Sequence, residues 1–412
     1  MLGSDTQIGE FSFPTQCMPT RILVLNAGSS SLKFAVYNCE EELAAECEGN
    51  VQGVGGQSRA RLVDRGRGQE VQYDLDTLDY EHALLWVLDW YEREFAGEPP
   101  AAVGHRIVHG GSRFSGPVVI TAEVRRALGE LSCWAPLHQP RCLEGVDLAA
   151  RAWPHTLQVG SFDTAFHANQ PRVARLFALP RAWVEAGVLR YGFHGLSFAS
   201  VVRQLTALAP EQATGKCIVA HLGSGASLCA IAGGSSVATT MGLTPLDGVP
   251  MGSRPGSVDP GALLYLLRHG GMDLDELEHT LYHESGMKGL SGLTSDFRLL
   301  EASSLPAARE ALELFVYRVQ REVASLAGAL RGLDVLVFTG GVGEHSATMR
   351  ERICRGLEWL GVELDPEANR AGSGRISHAR SSVATWVIPS DENGQIAREV
   401  YDQLCFRRRN QY

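Results

Sequence analysis

The chain has no run approaching the ~20 consecutive apolar residues that a helical membrane span requires, so no membrane partner is expected. Residues 1–20 lack the basic start and apolar stretch of a secretory signal, and they read as a loose N-terminal extension. Positive charge is not in excess: 37 Lys and Arg stand against 47 Asp and Glu, a net charge of −10. A general nucleic-acid binder carries a basic face, so nucleic acid is excluded as an expected partner. The nine cysteines include no CxxC pair and no framework spacing, which fits reduced thiols in a cytoplasmic protein. The commoner catalytic fingerprints are missing too. There is no G-x-x-x-x-G-K-[ST], because Gly215-Lys216 is followed by Cys217; there is no G-x-G-x-x-G and no G-x-S-x-G. These absences argue against a Walker-type ATPase, a Rossmann dehydrogenase and an α/β-hydrolase.

What the chain does contain is one device written twice. Residues 22–37 read ILVLNAGSSSLKFAVY, and residues 218–231 read IVAHLGSGASLCAI. Each is a β-branched run, a turn of Gly, Ser and Ala, and a second apolar run opening with Ser-Leu. Such a turn points several backbone N–H groups and hydroxyls at one spot, which is a way of holding phosphate. Two copies in 412 residues, a length beyond one hydrophobic core, predict a duplicated domain with a nucleotide between the halves.

Strands and helices alternate along the rest, which implies an α/β fold. Strands are expected at 21–26, 32–37, 101–108, 156–162, 334–341 and 385–390, and an exposed turn at 54–70. Helices are expected at 80–96, 121–131, 141–152, 259–283 and 306–331, then from about Ser346 and after Asp391. Asp259 serves as N-cap with Pro260 at the first helical position.

Four Gly-rich turns follow apolar strands, at 26–31, 109–113, 221–225 and 339–343. Polar residues lie at nearby strand ends. Arg106 sits inside an apolar strand and needs an anionic partner or a route to solvent; a structural ion pair and an anion ligand both meet that need. Arg254 in a turn-rich loop reads equally as a surface charge. Asp163 ends a strand, where carboxylates cap helices, hold metals or orient arginines. His138 and His194 lie in small-residue loops as neutral-capable donors or structural histidines. Glu392 follows the last strand, a position that suits the helix dipole. Taken together, two arginines, two histidines, an acid and phosphate-type turns form the set that phosphoryl transfer uses, since its catalysis is mainly positioning and charge neutralisation.

These residues lie within longer strings that resemble the acetokinase family, of the actin- and hexokinase-like superfamily. The strings are LNAGSSSLKF, GHRIVHGG, APLHQP, FDTAFH, RYGFHG, HLGSGAS, MGLTPLDGVPMGSRPG, GLSGLTSDFR and FTGGVGEHS, spread over roughly 21–404. The resemblance implies a duplicated actin-like (ribonuclease H-like) ATPase fold with two lobes around a nucleotide cleft. It implies a first domain of 21–167 plus about 400–412 and a second of 168–399. It implies magnesium-dependent transfer, manganese being a possible substitute, between ATP and acetate to give ADP and acetyl phosphate, and it implies a homodimer. On this resemblance Arg106 and Arg254 clamp the carboxylate and the γ-phosphoryl. His194 donates to the transferring group, His138 helps hold it, and Asp163 orients an arginine or a metal-bound water. Ser29, Ser31 and Lys33 lie near the phosphoryl group, and Asn26 and Glu392 near the metal. His221, Gly223, Ser224, Gly225, Gly340, Gly341 and Gly343 hold the ADP phosphates, and Asp296, Phe297 and Arg298 flank the adenosine. Val108, Leu137, Phe193 and Pro245 form an apolar acetate pocket, which favours a small acid over butyrate. Propionate or butyrate as substrate, and a non-catalytic actin-like nucleotide binder, are the competing readings.

The chain departs from the family pattern at a few positions: Ser224 and His345 in the nucleotide turns, Leu196 and Phe198 after His194, Gln139 after His138, Pro255 and Ser257 after Arg254, and Asn393-Gly394 after Glu392.

Overall fold

The computed structural model describes residues 20–28, 31–40 and 43–410. The extension expected before Arg21 (Thr20 aside) and the phosphoryl contact expected of Ser29 lie outside the described residues. Two sheets organise the chain. The first comprises β1 (Arg21–Ala27), β2 (Ser31–Asn38), β3 (Ala44–Gln52), β4 (Arg59–Asp64), β5 (Gln69–Asp74), β6 (Ala102–Ile107), β7 (Val118–Val119) and β8 (Leu157–Phe162), in the order β5-β4-β3-β2-β1-β6-β8-β7. The second comprises β9 (Lys216–Leu222), β10 (Ala226–Ala232), β11 (Ser235–Thr239), β12 (Val335–Thr339), β13 (Gly374–Arg375) and β14 (Ala384–Val387), in the order β11-β10-β9-β12-β14-β13.

The two sheets repeat one topology. In each, a three-stranded antiparallel meander (β1-β2-β3, β9-β10-β11) is extended by two strands parallel to its first member (β6 and β8, β12 and β14). This is the duplicated actin-like fold. Central strands are covered on both faces, so they read as continuous apolar runs. Leu23 and Leu25 of β1 face one core, while Ile22 and Val24 face another beneath the C-terminal helix.

Six helices matter to the site: α1 (Tyr80–Glu94), α2 (Gln139–Ala152), α3 (Gly195–Leu208), α4 (Pro306–Leu330), α5 (Gly340–His345) and α6 (Glu392–Asn410). The last of these leaves the second sheet and returns to the first, where Ile396, Ala397 and Val400 are buried against Ile22, Val24 and Ala35. The described cysteines form no disulfide, and no described helix is long and apolar enough to cross a membrane.

Two expectations need correction. The 54–70 stretch is not simply an exposed turn, because β4 lies within it. Ala60 and Leu62 alternate inward while Arg59 and Arg61 face solvent, and the density of Gly and Arg masked a half-buried strand. The 259–283 stretch is not one helix. A first helix, Pro260–His269, is capped by Asp259 as expected. It stops at Gly270-Gly271, where Gly271 takes φ +74°, and Asp273 opens a new helix with its own capping box. A π-turn, Thr280–Glu284, closes the segment.

The packing of α6 on the first sheet depends on Gly104 of β6. A methyl group there would lie 2.7 Å from both Ile396 Cγ2 and Val400 Cγ2. Both are stiff β-branched side chains, so the helix must shift to accommodate it. Gly104→Ala is expected to destabilise the protein by about 1–3 kcal/mol, read from urea unfolding; an unchanged midpoint would show that α6 does not bear on this strand.

Candidate active site

Ligands in open α/β sheets bind beyond the carboxyl ends of parallel strands. Here the carboxyl ends of β1, β6, β9, β12 and β14 all border one cavity of about 760 Å³. The first sheet and its helices contribute Asn26, Gly28, Ser31 and Lys33 from the β1–β2 hairpin, Arg106 from β6 and His138 from the start of α2. The second lobe contributes His194, His221, Gly223, Ser224, Gly225, Arg254, Gly340 and Gly341, and Glu392 opens α6 on the same wall.

Arg106 points at Asp163, which ends β8. Its Nη2 donates to Oδ2 at 2.6 Å, its Nε donates to both carboxylate oxygens at 3.2 Å, and Nη1 donates to the Ala27 carbonyl. Burial alone would lower the guanidinium, but Asp163 and Glu392 outweigh it and hold Arg106 above its ordinary value. Burial likewise raises the Asp163 carboxyl against the pull of Arg106; the two-pronged contact holds the pair together. Asp163 therefore stands behind Arg106 and does not line the cavity.

Arg254 is different. Its Nη1 donates to the Pro245 carbonyl at 2.7 Å, and no carboxylate among the described residues pairs with it. Burial pushes it down to about 10, and Arg106 adds to the push against an opposing effect from Tyr282. A guanidinium on a cavity wall with no acid is a site for an anion.

Besides His345, three imidazoles share the cavity, those of His138, His194 and His221. His194 is a left-handed residue at the head of α3 (φ 59°), a strained conformation that aims its ring across the cleft. Its Nδ1 pairs with Ser227 Oγ at 2.8 Å, and its ring stacks on His221 with centroids 4.3 Å apart. His221 Nδ1 pairs with Ser197 Oγ at 2.8 Å. His138 Nδ1 is buried without a partner among the described residues. Burial, with help from Arg254 and Arg106, pushes His138 down to about 3; burial, His221 and both arginines lower His194. All three rings are therefore neutral at pH 7 and can donate or accept a hydrogen bond without adding charge.

Glu392 is an acid close enough to Arg106 for each to shift the other. Asn26 Nδ2 donates to its Oε2 at 3.0 Å and to Asn393 Oδ1 at 3.1 Å. Burial raises the Glu392 carboxyl, but Arg106, Lys33, His221 and the Asn26 amide outweigh it and hold it below the usual range. No group of three or more His, Cys, Asp or Glu side chains among the described residues is arranged to hold a metal. One carboxylate and one amide do not make a resident cage. They fit a hard divalent cation that arrives with phosphate ligands and keeps several waters.

Several expected site residues do not line the cavity. Val108 and Phe193 are buried in the core, Leu137 is half-buried, and Pro245 contributes the carbonyl that holds Arg254. Asp296 caps the helix Phe297–Ala302 and pairs with Arg298 at 2.6 Å, while Phe297 packs on Phe315 with ring centroids 4.8 Å apart. Gly343 lies buried within α5. Conversely, Glu48, Arg65, Glu344, His345, Ser390, Asp391 and Asn393 line the cavity without having been singled out for chemistry. Glu344 sits inside FTGGVGEHS, and only that string pointed near it, whereas His345 stood out already as a departure in the nucleotide turns.

Two lobes of one topology, phosphate-type turns on both and a cationic wall between them define a phosphotransferase of actin-like fold. The family model described as "Acetokinase family" matches residues 21–398. An acetate kinase of Rhodopseudomonas palustris (strain TIE-1) is 48% identical over 387 residues, 92% of this chain and 97% of that protein. One from Methylocella silvestris is 47% identical over 93% of this chain and 98% of its own length. Among solved structures, Porphyromonas gingivalis acetate kinase superposes with a TM-score of 0.83 at 35% identity, covering 93% of this chain and 100% of that one. A propionate kinase from Francisella tularensis superposes at 0.85 with 34% identity, covering 92% and 98%. The chain belongs to the acetokinase family.

The buried neutral histidines link the site to pH. His138 has its folded pKa lowered to about 3, and burial lowers His105, His109 and His167 to about 4. Below the unfolded value of about 6.5 the unfolded chain binds more protons, so these groups cost stability as pH falls from about 6.5 toward 4. His138→Gln is expected to reduce that slope by about one proton, ~1.4 kcal/mol per pH unit. Urea unfolding across this range tests it; an unchanged slope would mean that His138 titrates normally.

Proposed function

We propose that this chain is an acetate kinase, transferring the γ-phosphoryl of ATP to acetate in a reversible, magnesium-dependent reaction that yields acetyl phosphate and ADP. The observation that carries the reading is Arg254, a guanidinium without an acid partner on the same cavity as Arg106. Acetate is already ionised at pH 7, so the nucleophile needs no general base. The obstacle is repulsion between a carboxylate and a polyphosphate. Two guanidinium groups counter it, and their planar forks suit carboxylate and phosphoryl oxygens better than lysine does.

In this reading Arg106 and Arg254 grip acetate and the transferring group, and Asp163 keeps Arg106 oriented. His194 donates to the equatorial oxygens of an in-line transition state, and His138 with its unpartnered nitrogen supports the same group. Ser31 and Lys33 face the phosphoryl from the first lobe. In the turns Gly223–Gly225 and Gly340–Gly341, the backbone N–H groups of Ser224, Gly225 and Gly341 face the ADP phosphates, while Gly340 N–H is held by Glu344. Asn26 and Glu392 face the magnesium ion, which when bound supplies charge neutralisation on phosphate oxygens. Val108, Leu137, Phe193 and Pro245, which back the cavity without lining it, shape the side that takes the acetate methyl, and Asp296, Phe297 and Arg298 lie toward the adenosine. The first domain is 21–167 plus about 400–412, and the second is 168–399. The protein works as a cytoplasmic homodimer. Exposed apolar side chains, among them Leu264, Tyr265, Leu314 and Tyr317, offer a surface for a second copy.

A hydroxamate assay with ATP, magnesium and acetate, propionate or butyrate in parallel tests the reading. Acetate is expected to be preferred, with propionate poorer by about 10–200-fold, the discrimination one methylene allows. Acyl hydroxamate from none of the acids would refute a kinase, and a preference for butyrate would refute the proposed pocket. Gly225 offers a second test, since a methyl there would lie 2.8 Å from Arg254 Nη2 and 3.1 Å from His194 Nε2. Displacing reacting groups by about 1 Å costs on the order of 10²-fold. Gly225→Ala should therefore lose about that much turnover without a change in melting temperature; full turnover would mean that Arg254 does not act from this position.

A further inference from the structure

Beyond the last rungs of the second sheet, one side chain joins two turns of the cleft. Strands β12 and β14 pair from Val335 and Ala384 to Phe338 and Val387, and one more bond, Ile388 N–H to the Phe338 carbonyl, ends the ladder. Past that point the two segments would be free of each other. Glu344 bridges them. Its Oε1 accepts from Gly340 N–H at 2.8 Å, from Ser390 N–H at 3.1 Å and from Thr339 Oγ1 at 3.4 Å.

Glu344 is the fifth residue of its helix, and its side chain reaches back to the N–H of the first. Here the same oxygen also takes an N–H from 46 residues further along the chain. The helix that carries Glu344, α5, has six residues, too few to hold its shape alone. Its other end is held by Arg350, a buried guanidinium that donates to the carbonyls of Gly343 (2.9 Å) and Glu344 (2.8 Å). The first residue, Gly340, has φ +77° and lies so close to the Leu222 carbonyl that a Cβ would be 2.8 Å from it. The turn is thus fixed on every side, and among the described residues Glu344 makes its hydrogen-bonded connection to the segment that presents Glu392.

Resting on the kinase reading above, we infer that Glu344 is a positioning residue: it sets the Gly340–Gly341 turn in register with the Ser390–Glu392 segment, so that nucleotide phosphates and their cation are met together. The role depends on reach and not on charge. A carboxylate on a wall that receives a polyanion is electrostatically unfavourable, and a carbonyl oxygen at the same distance would serve both amides.

Two variants of the full chain separate these properties. Glu344→Gln keeps the reach and removes the charge; Glu344→Asp keeps the charge and is one methylene short. Calorimetric binding of ADP with and without magnesium, the KM for acetate, and the melting temperature are compared with wild type. The Asp variant is expected to bind magnesium–ADP about 10–100-fold more weakly, as outer-shell substitutions do. Its acetate KM should stay within about twofold, and the Gln variant should retain near-normal affinity. An impaired Gln variant beside a normal Asp variant would overturn the inference, because the charge would then be what matters. Normal binding in both variants, with or without a lower melting temperature, would overturn it too. Failure of wild-type protein to make acyl hydroxamate would instead refute the kinase reading.

Discussion

Two guanidinium groups of like charge open onto one cavity, and only one of them has a carboxylate of its own. Arg106 is matched by Asp163, while Arg254 rests on a backbone carbonyl. The second cation has its charge balanced by nothing nearby, and burial already pushes it down. The arrangement is costly when empty and favourable when an anion enters, because a dry, preformed cationic wall need not reorganise around incoming charge. The neutral state of the surrounding histidines belongs to the same constraint. Charged imidazoles would add to repulsion between the arginines; lowered by burial and by those arginines, they supply hydrogen bonds at no electrostatic cost.

A rigid support is needed to hold groups that repel one another. Arg106, His194, His221 and Glu392 stand at the end of a central strand or the head of a helix, Arg254 stands in a loop, and most are fixed by a further contact. Asp163 grips Arg106, Ser227 holds His194, Ser197 holds His221 and Asn26 holds Glu392. Duplication of the sheet makes this possible, because parallel strand ends from both copies meet at one cleft. The C-terminal helix ties the copies together: it begins at the cavity wall and ends packed on the first sheet, so its anchoring at Gly104 bears on where Glu392 sits.

Much of this was legible in the chain. The two Gly-Ser turns, the strand-end positions of Arg106 and Asp163, and the cap at Asp259 are local patterns, and local patterns survive reading one residue after another. What escaped was juxtaposition. Asn26 and Glu392 meet from 366 residues apart, and no spacing announces Ser197 beneath His221 or Ser390 beneath Glu344. Composition misled where a strand was dressed in polar residues, as in β4. Periodicity misled where a Gly-Gly step interrupted an otherwise helical run, as at Gly270-Gly271.

The departures from the family pattern become intelligible through the same packing. Phe198 is fully buried, its ring 5.6 Å from that of His167, so a position where the pattern has a histidine is here part of the core under α3. Gln139 is buried as well. Its Oε1 accepts from His109 N–H at 3.1 Å, and its Nε2 donates to the carbonyls of His109 at 3.0 Å and Leu128 at 3.2 Å. Asn393 accepts from the same Asn26 amide that holds Glu392. The exchanges at Phe198 and Gln139 change only what stands behind the cavity wall, whereas Asn393, His345 and Ser224 face the cavity directly. None of these exchanges touches the arginine–aspartate pair or the unpaired guanidinium.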